Sequence, residues 1–341
     1  MSDPFENFDN TLEKKWISVP SELEGLDGKK KNIKVELMKD GQPRALAFFD
    51  IDGTLAHLEM VHGKAIAELF SDEDPTELEQ TYYRGFKLGN SFREFDRMRG
   101  IYVGIDEVKH PEWKDPEIYL KERFIPHTKE IDESNNSAHN VAAAILKKYG
   151  EVAAQICDEL YKKNPAEFEK ANIAPIFKLA QMYSRLGIPM VGFTANAKVL
   201  VDKLAKYLKL SDIFLDIATD ETMQGGGKEV AIKYLIDELE SKGIPIPKGR
   251  MIFVGDSLRG DIGTSLTARE NNAGIFGQGI LVLKDRDALL EIERQIDTDP
   301  KLRHIVDNID VRGLVVGDVP LDKEGKPMLL SRFREKFLKK F

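Results

Sequence analysis

Several residue types and patterns are scarce in this chain. Its 341 residues include one cysteine, Cys157, two tryptophans and six histidines. A single cysteine excludes a disulfide scaffold and any cysteine-rich zinc cluster. The histidines are scattered without metal-ligand spacing. No apolar run approaches the ~18 residues of a membrane-spanning helix. The acidic start Met1–Asn10 does not read as a signal peptide. Internal repeats and low-complexity tracts are missing as well. The expectation is a soluble, cytoplasmic protein with no membrane span. Positive charge is also short, with 50 Lys and Arg against 58 Asp and Glu, a net charge of −8. That balance argues against broad coating of nucleic acid and leaves room only for a local basic pocket.

What is present describes a folded α/β chain. Hydrophobic residues make up 42% and charged residues 32%, which excludes disorder over the whole length. Residues 1–42 are polar, carry the basic run Lys29–Lys31, and read as an N-terminal extension. Ala45–Phe49 is a short continuous apolar run, as expected of a strand buried on both faces of a parallel sheet. Met190–Phe193, Ile213–Ala218 and Met251–Val254 follow much later, with amphipathic helices at Val199–Leu208 and Glu229–Leu239 between them. Alternating strands and helices spell a doubly wound parallel sheet. The stretch from Thr54 to Thr194 far exceeds one crossover helix. Within it Lys64–Phe70, Val141–Lys148 and Val152–Lys162 read as amphipathic helices. The expected division is therefore a catalytic core of residues 43–55 and 172–341, C-terminal extension included, interrupted by a helical domain over 56–171.

In an open α/β sheet the ligand sits beyond the carboxyl ends of the strands. Here those ends carry Asp50-Ile51-Asp52-Gly53-Thr54, then Thr194-Ala195-Asn196, then Gly255-Asp256-Ser257 with Asp261 close behind. Lys228 lies just before the helix that precedes the last of these strands. Asp50, Asp52, Asp256 and Asp261 cannot all be ionised at one rim without a cation, because their repulsion in a low dielectric is severe. A hard divalent ion with oxygen ligands compensates it, and Mg²⁺ suits best because it takes few carboxylates plus water and phosphate oxygens. Thr194 and Lys228 are donors for an anion, which a phosphoryl group would provide. Two other loops begin in similar ways. A calcium loop starting at Asp50 would need Gly where Leu55 stands and Glu where Val61 stands. A P-loop ending at Gly227-Lys228 would need Ser or Thr where Glu229 stands.

Together these residues identify a family. Phe48-Phe49-Asp50-Ile51-Asp52-Gly53-Thr54-Leu55 resembles the first motif of the haloacid dehalogenase-like superfamily of phosphohydrolases. Gly192-Phe193-Thr194-Ala195-Asn196 is similar to its second motif, Lys228 to its third, and Val254-Gly255-Asp256-Ser257-Leu258-Arg259-Gly260-Asp261 to its fourth. All four stand in the family's order between Phe48 and Asp261, and the insertion after the first resembles a helical cap. The resemblance implies Mg²⁺, a small phosphorylated substrate and an aspartyl-phosphate intermediate. It implies that Asp50 is the nucleophile and that Asp52 is the general acid and base. Asp50, Asp256 and the backbone carbonyl of Asp52 would hold the metal. Thr194 and Lys228 would bind the phosphoryl oxygens, with Asp261 and Asn196 in support. A phosphotransferase or phosphomutase on the same site is the alternative, and a non-catalytic binding protein with this fold is a weaker one. Dehalogenation needs neither Asp52 nor a metal.

Two stretches outside the motifs stand out. Tyr82–Gly100 interleaves Arg84, Lys87, Arg93, Arg97 and Arg99 with aromatic residues. It reads as an amphipathic helix with a solvated basic face, or as a substrate-contacting surface. Leu330, Phe333, Phe337 and Phe341 fall on one helical stripe of Leu329–Phe341. That stripe would dock on its own domain, with a homodimer or a membrane surface as alternatives. His57 and His62 lie near enough to the first motif to line its entrance.

Overall fold

A computed structural model describes residues 16–69, 138–223, 227–247, 249–266, 277–316 and 329–332. The chain opens with a hairpin of β1 (Trp16–Glu24) and β2 (Lys30–Glu36). Then come β3 (Leu46–Asp50), α1 (Glu59–Leu69), α2 (Ala138–Lys163), α3 (Ala174–Arg185), β4 (Met190–Phe193), α4 (Lys198–Tyr207) and β5 (Ile217–Ala218). The described residues continue with α5 (Lys228–Ser241), β6 (Met251–Gly255), β7 (Gly277–Leu283), α6 (Arg286–Thr298), α7 (Pro300–Asn308), β8 (Asp310–Val315) and β9 (Leu329–Arg332). The main sheet runs β9-β8-β7-β6-β3-β4-β5, parallel throughout except for the antiparallel β9 at its edge. The fold is therefore α/β with a doubly wound parallel sheet.

The position of β3 in this order explains the site. From β3 the chain builds outward through β4 and β5, then returns to the opposite side of β3 to lay down β6. Strand order reverses there, and the crevice beside such a switch point opens beyond the carboxyl ends of the strands. All five residues of β3 are buried, because its alternating side chains feed two cores. Phe48 stacks on Phe253 at 4.9 Å between ring centroids. Phe49, on the other face, meets Phe214 edge-on at 5.5 Å.

Several sequence expectations are revised by tertiary contacts. The part of the N-terminal extension that is described is a hairpin. Val19, Ile33 and Val35 are buried in the main core. Ile213–Ala218 is not one strand: only Ile217–Ala218 joins the sheet. The preceding carbonyls are satisfied instead by the hairpin, Ser21 Oγ donating to Phe214 O at 2.8 Å and Glu22 N to Leu215 O at 2.7 Å. After β6 the next strand among the described residues is Gly277–Leu283. The C-terminal helix is overturned where it can be checked. Residues Leu329–Arg332 form a strand paired with β8, since an open sheet edge offers backbone partners that local periodicity does not reveal. The remaining 333–341 lie outside the described residues, as do the basic residues Arg84, Lys87, Arg93, Arg97 and Arg99.

The insertion leaves and rejoins the core through paired backbone. Ala56 bridges to Asn172, His57 N donates to Ala171 O at 2.8 Å, and Ile173 N donates to Leu55 O at 2.9 Å. The two helices expected at Val141–Lys148 and Val152–Lys162 are one helix, α2. Gly150 does not break it, because glycine is there for proximity. A Cβ on Gly150 would lie 2.4 Å from the Cβ of Ala197, just before α4. Gly150→Ala would gain about 1 kcal/mol of helix propensity at an open position. Here it is expected to lower stability by about 1–3 kcal/mol through overpacking, read as a lower Tm. An unchanged or higher Tm would disprove this close-packing role. The seam is extended by Tyr161 stacked on Tyr207 at 4.0 Å and by Lys203 Nζ donating to Asp158 at 2.8 Å. Among the described residues no helix is long and apolar enough to cross a membrane.

Candidate active site

Asp50 is the last residue of β3 and is only 3% exposed. Its Oδ1 accepts from Lys228 Nζ at 2.8 Å and its Oδ2 from Thr54 Oγ1 at 3.3 Å. After it the chain turns at once, with Leu55 N and Ala56 N both donating to Ile51 O. Gly53 makes this turn possible at φ +74°, in the left-handed region that glycine occupies without strain. Space demands glycine as well, since a Cβ there would lie 2.7 Å from Asp256 Oδ2. The backbone of the first motif at Gly53 is thus packed against the Asp256 side chain of the fourth.

Lys228 is the first residue of α5 and spans two carboxylates. Besides Asp50, its Nζ donates to Asp261 Oδ1 at 2.5 Å, and it lies 5.2 Å from the centre of the Phe193 ring. Burial opposes its charge, but the carboxylates of Asp261 and Asp50 outweigh that penalty and keep the ammonium protonated above its usual range. Asp261 is fully buried and sits in a single π-type turn, Leu258–Ile262. Its second oxygen accepts from Ser257 N at 2.8 Å. Gly255 lets this turn close over the end of β6, because a Cβ there would lie 2.3 Å from Asp261 Cβ.

Asp50, Asp256 and Asp261 each offer a carboxylate oxygen within 4.8 Å of the others. The electrostatic consequence is strong. Burial, with the charges of Asp261 and Asp52 adding to it and Lys228 opposing it, raises the Asp50 carboxyl to about 7. Asp256 keeps solvent access at the rim, yet the surrounding protein and the charges of Asp261 and Asp50 push it well above the usual carboxylate range. A cluster of hard oxygen donors with excess negative charge suits a hard divalent cation.

Thr194 and Asn196 follow β4, whose Phe193 pairs in register with Asp50. Both are buried, and Thr194 Oγ1 accepts from Asn196 N at 3.2 Å. Asn196 O in turn accepts from Asp220 N at 3.3 Å. Each motif residue expected from the sequence therefore sits at or beside the carboxyl edge of β3, β4 or β6.

The carboxylate of Asp52 does not belong to the three-carboxylate cluster. It lies against a histidine, with Oδ2 3.1 Å from His62 Nε2. The chain turns directly after Asp50, and the two carboxylates take different partners, Asp50 meeting Lys228 and Asp52 meeting His62. His62 is only 1% exposed, and its Nδ1 meets the Tyr149 hydroxyl. Of the two histidines expected at the entrance, His57 is exposed and its backbone pairs with Ala171. Tyr149 had no signal in the sequence, being far from the first motif and inside an ordinary helix.

A family model described as haloacid dehalogenase-like hydrolase matches residues 45–265, which contain all of these side chains. Among curated proteins none matches the chain. Solved structures similar to it include the magnesium-bound HAD-hydrolase YfnB from Bacillus subtilis, 14% identical, covering 74% of this chain and 99% of that one with a TM-score of 0.41. A β-phosphoglucomutase from Clostridium difficile is 13% identical, covering 73% of this chain and 88% of that one, TM-score 0.42. CbbY from Rhodobacter sphaeroides, solved with phosphate, is 16% identical over 70% of this chain and 86% of that one, TM-score 0.37.

Proposed function

Because the chain belongs to the haloacid dehalogenase-like hydrolases, we propose that it is a Mg²⁺-dependent phosphatase acting on a small phosphorylated metabolite through an aspartyl-phosphate on Asp50. The observation that carries this reading is the Lys228 ammonium fixed between Asp50 and Asp261, 2.8 and 2.5 Å away. A nucleophile beside a fixed cation is arranged for a substrate that brings negative charge.

The chain's residues divide the work. An oxygen of Asp50 attacks phosphorus while the ester P–O bond breaks, and Asp52 gives its proton to the departing oxygen. In the second half Asp52 takes a proton from water, the water oxygen attacks phosphorus, and the acyl phosphate bond to Asp50 breaks to release phosphate. Lys228 and Thr194 hold the phosphoryl oxygens and stabilise charge developing on them. Asp261 has both oxygens engaged already, by Lys228 and by Ser257 N, so its work is to orient the lysine. Asn196 organises the Thr194 turn. When bound, Mg²⁺ held by Asp50, Asp256 and the Asp52 carbonyl would offset their charge and that of the phosphoryl group. The helical cap, within residues 56–171, would close over the substrate.

The test uses Asp52→Asn, which keeps the nucleophile but removes the acid and base. With a good leaving group such as p-nitrophenolate, little protonation is needed for the first half-reaction. This variant is expected to phosphorylate Asp50 and stall. Acid-quenched intact-mass spectrometry should show one added phosphoryl group, mapped to the peptide containing Asp50. A label on a serine, histidine or cysteine elsewhere would refute the mechanism.

A further inference from the structure

The acid and base of this reading occupies a turn, not a regular element, and its carboxylate is partnered from outside that turn. Asp52 Oδ2 lies 3.1 Å from His62 Nε2, where His62 comes from α1, the first helix of the insertion. The Asp52 side chain is 16% exposed and that of His62 1%. The opposite ring nitrogen of His62 meets the hydroxyl of Tyr149, and the two rings stack at 5.9 Å with planes 12° apart. Tyr149 comes from α2, so three separate parts of the chain meet at one imidazole.

The chemistry of the partner sets the direction of the Asp52 bond. A carboxylate only accepts, so Nε2 carries the hydrogen and donates to Asp52. Nδ1 meets the Tyr149 hydroxyl, a group that can donate or accept. Both nitrogens of a buried ring are thereby satisfied, which removes the desolvation cost that an unpaired one would carry.

We infer that His62, held by Tyr149, is the positioning residue for Asp52. It engages Oδ2 and leaves Oδ1 as the oxygen that carries the transferred proton. A general acid contributes only within hydrogen-bond reach of the atom it serves. An aspartate on a turn gains that placement from a fixed donor. Because α1 and α2 belong to the insertion, the same contact ties the orientation of Asp52 to the helices that flank the cap. The inference rests on the acid–base reading of Asp52.

The experiment compares wild type, Asp52→Asn, His62→Gln, His62→Asn and Tyr149→Phe with Mg²⁺ on two probes. The first is p-nitrophenyl phosphate, whose leaving group needs little protonation, and the second is glycerol 2-phosphate, whose alkoxide needs it fully. Gln places an amide nitrogen where Nε2 stands, whereas Asn reaches only the Nδ1 position. His62→Asn is expected to lose about 10–100-fold in kcat on glycerol 2-phosphate, part of the roughly 10²–10⁴-fold that general acid–base catalysis contributes, with KM little changed. On p-nitrophenyl phosphate the first turnover should persist and phosphoenzyme should accumulate after acid quench. His62→Gln should recover most of both losses. Tyr149→Phe keeps the ring stack and the fold while removing one hydroxyl, and should show the same pattern more weakly.

Equal losses on both probes, with His62→Gln no better than His62→Asn, would overturn the inference and mark His62 as merely structural. If Asp52→Asn shows the leaving-group dependence and the stall while the His62 and Tyr149 variants show neither, only the positioning role falls. If Asp52→Asn itself behaves like wild type, the acid–base reading and this inference fall together.

Discussion

Asp50→Asn is expected to leave a folded protein whose turnover has dropped by about 10⁴-fold or more, as removal of a covalent nucleophile does elsewhere. The amide is nearly the same size as the carboxylate, and its oxygen can still accept from Lys228. What disappears is the attacking oxygen and one buried negative charge. Acid quench should therefore trap no phosphoenzyme with any substrate, in contrast to Asp52→Asn. Stability should move the other way. Asp50 shares its surroundings with Asp256 and Asp261 within 4.8 Å, and relieving that repulsion is expected to raise the metal-free Tm at pH 7.5. Residual turnover above background, with phosphoenzyme still forming, would place the nucleophile elsewhere.

Removal of the divalent cation is expected to be as damaging. In excess EDTA turnover should fall to background, Mg²⁺ should restore it, and Ca²⁺ in its place should suppress it. Calcium's larger and more flexible shell holds the same carboxylates at longer distances and would misplace Asp50. The metal-free protein carries a pH signature that needs no substrate. The Asp50 carboxyl is raised from 3.8 to about 7, and Asp256 is raised with it. Between those two values the native state binds more protons than the unfolded chain, so stability falls as pH rises through the window. In EDTA the Tm should decline from pH 5 to pH 7.5. Added Mg²⁺ should raise the Tm more at pH 7.5 than at pH 5, because the carboxylates must be ionised to bind it. Undiminished turnover in chelator, or a metal-free Tm that climbs over this range, would refute the metal reading.

What the sequence determined alone is the chemistry at the strand ends. Ala45–Phe49 and Met251–Val254 are short apolar runs that only a doubly covered sheet can use. The polar residues that follow such runs must emerge at its carboxyl edge. Asp50, Thr194 and Asp256 could be placed at one rim for that reason, and the ordered motifs added Lys228 and Asp261. The same local logic failed where the partner of a segment is remote. The N-terminal hairpin is recognisable only through the Phe214 and Leu215 carbonyls that it satisfies. Leu329–Phe341 carries a helical stripe in sequence, but its first residues, Leu329–Arg332, take the free edge of β8, because backbone pairing at an open edge outweighs a weak local preference. Asp50 and Asp52 are alike in sequence and two residues apart. Tertiary structure separates them, giving one to Lys228 and the other to His62. Residue order can bring a carboxylate to the rim, but the side chain it faces there is chosen by helices packed from far along the chain.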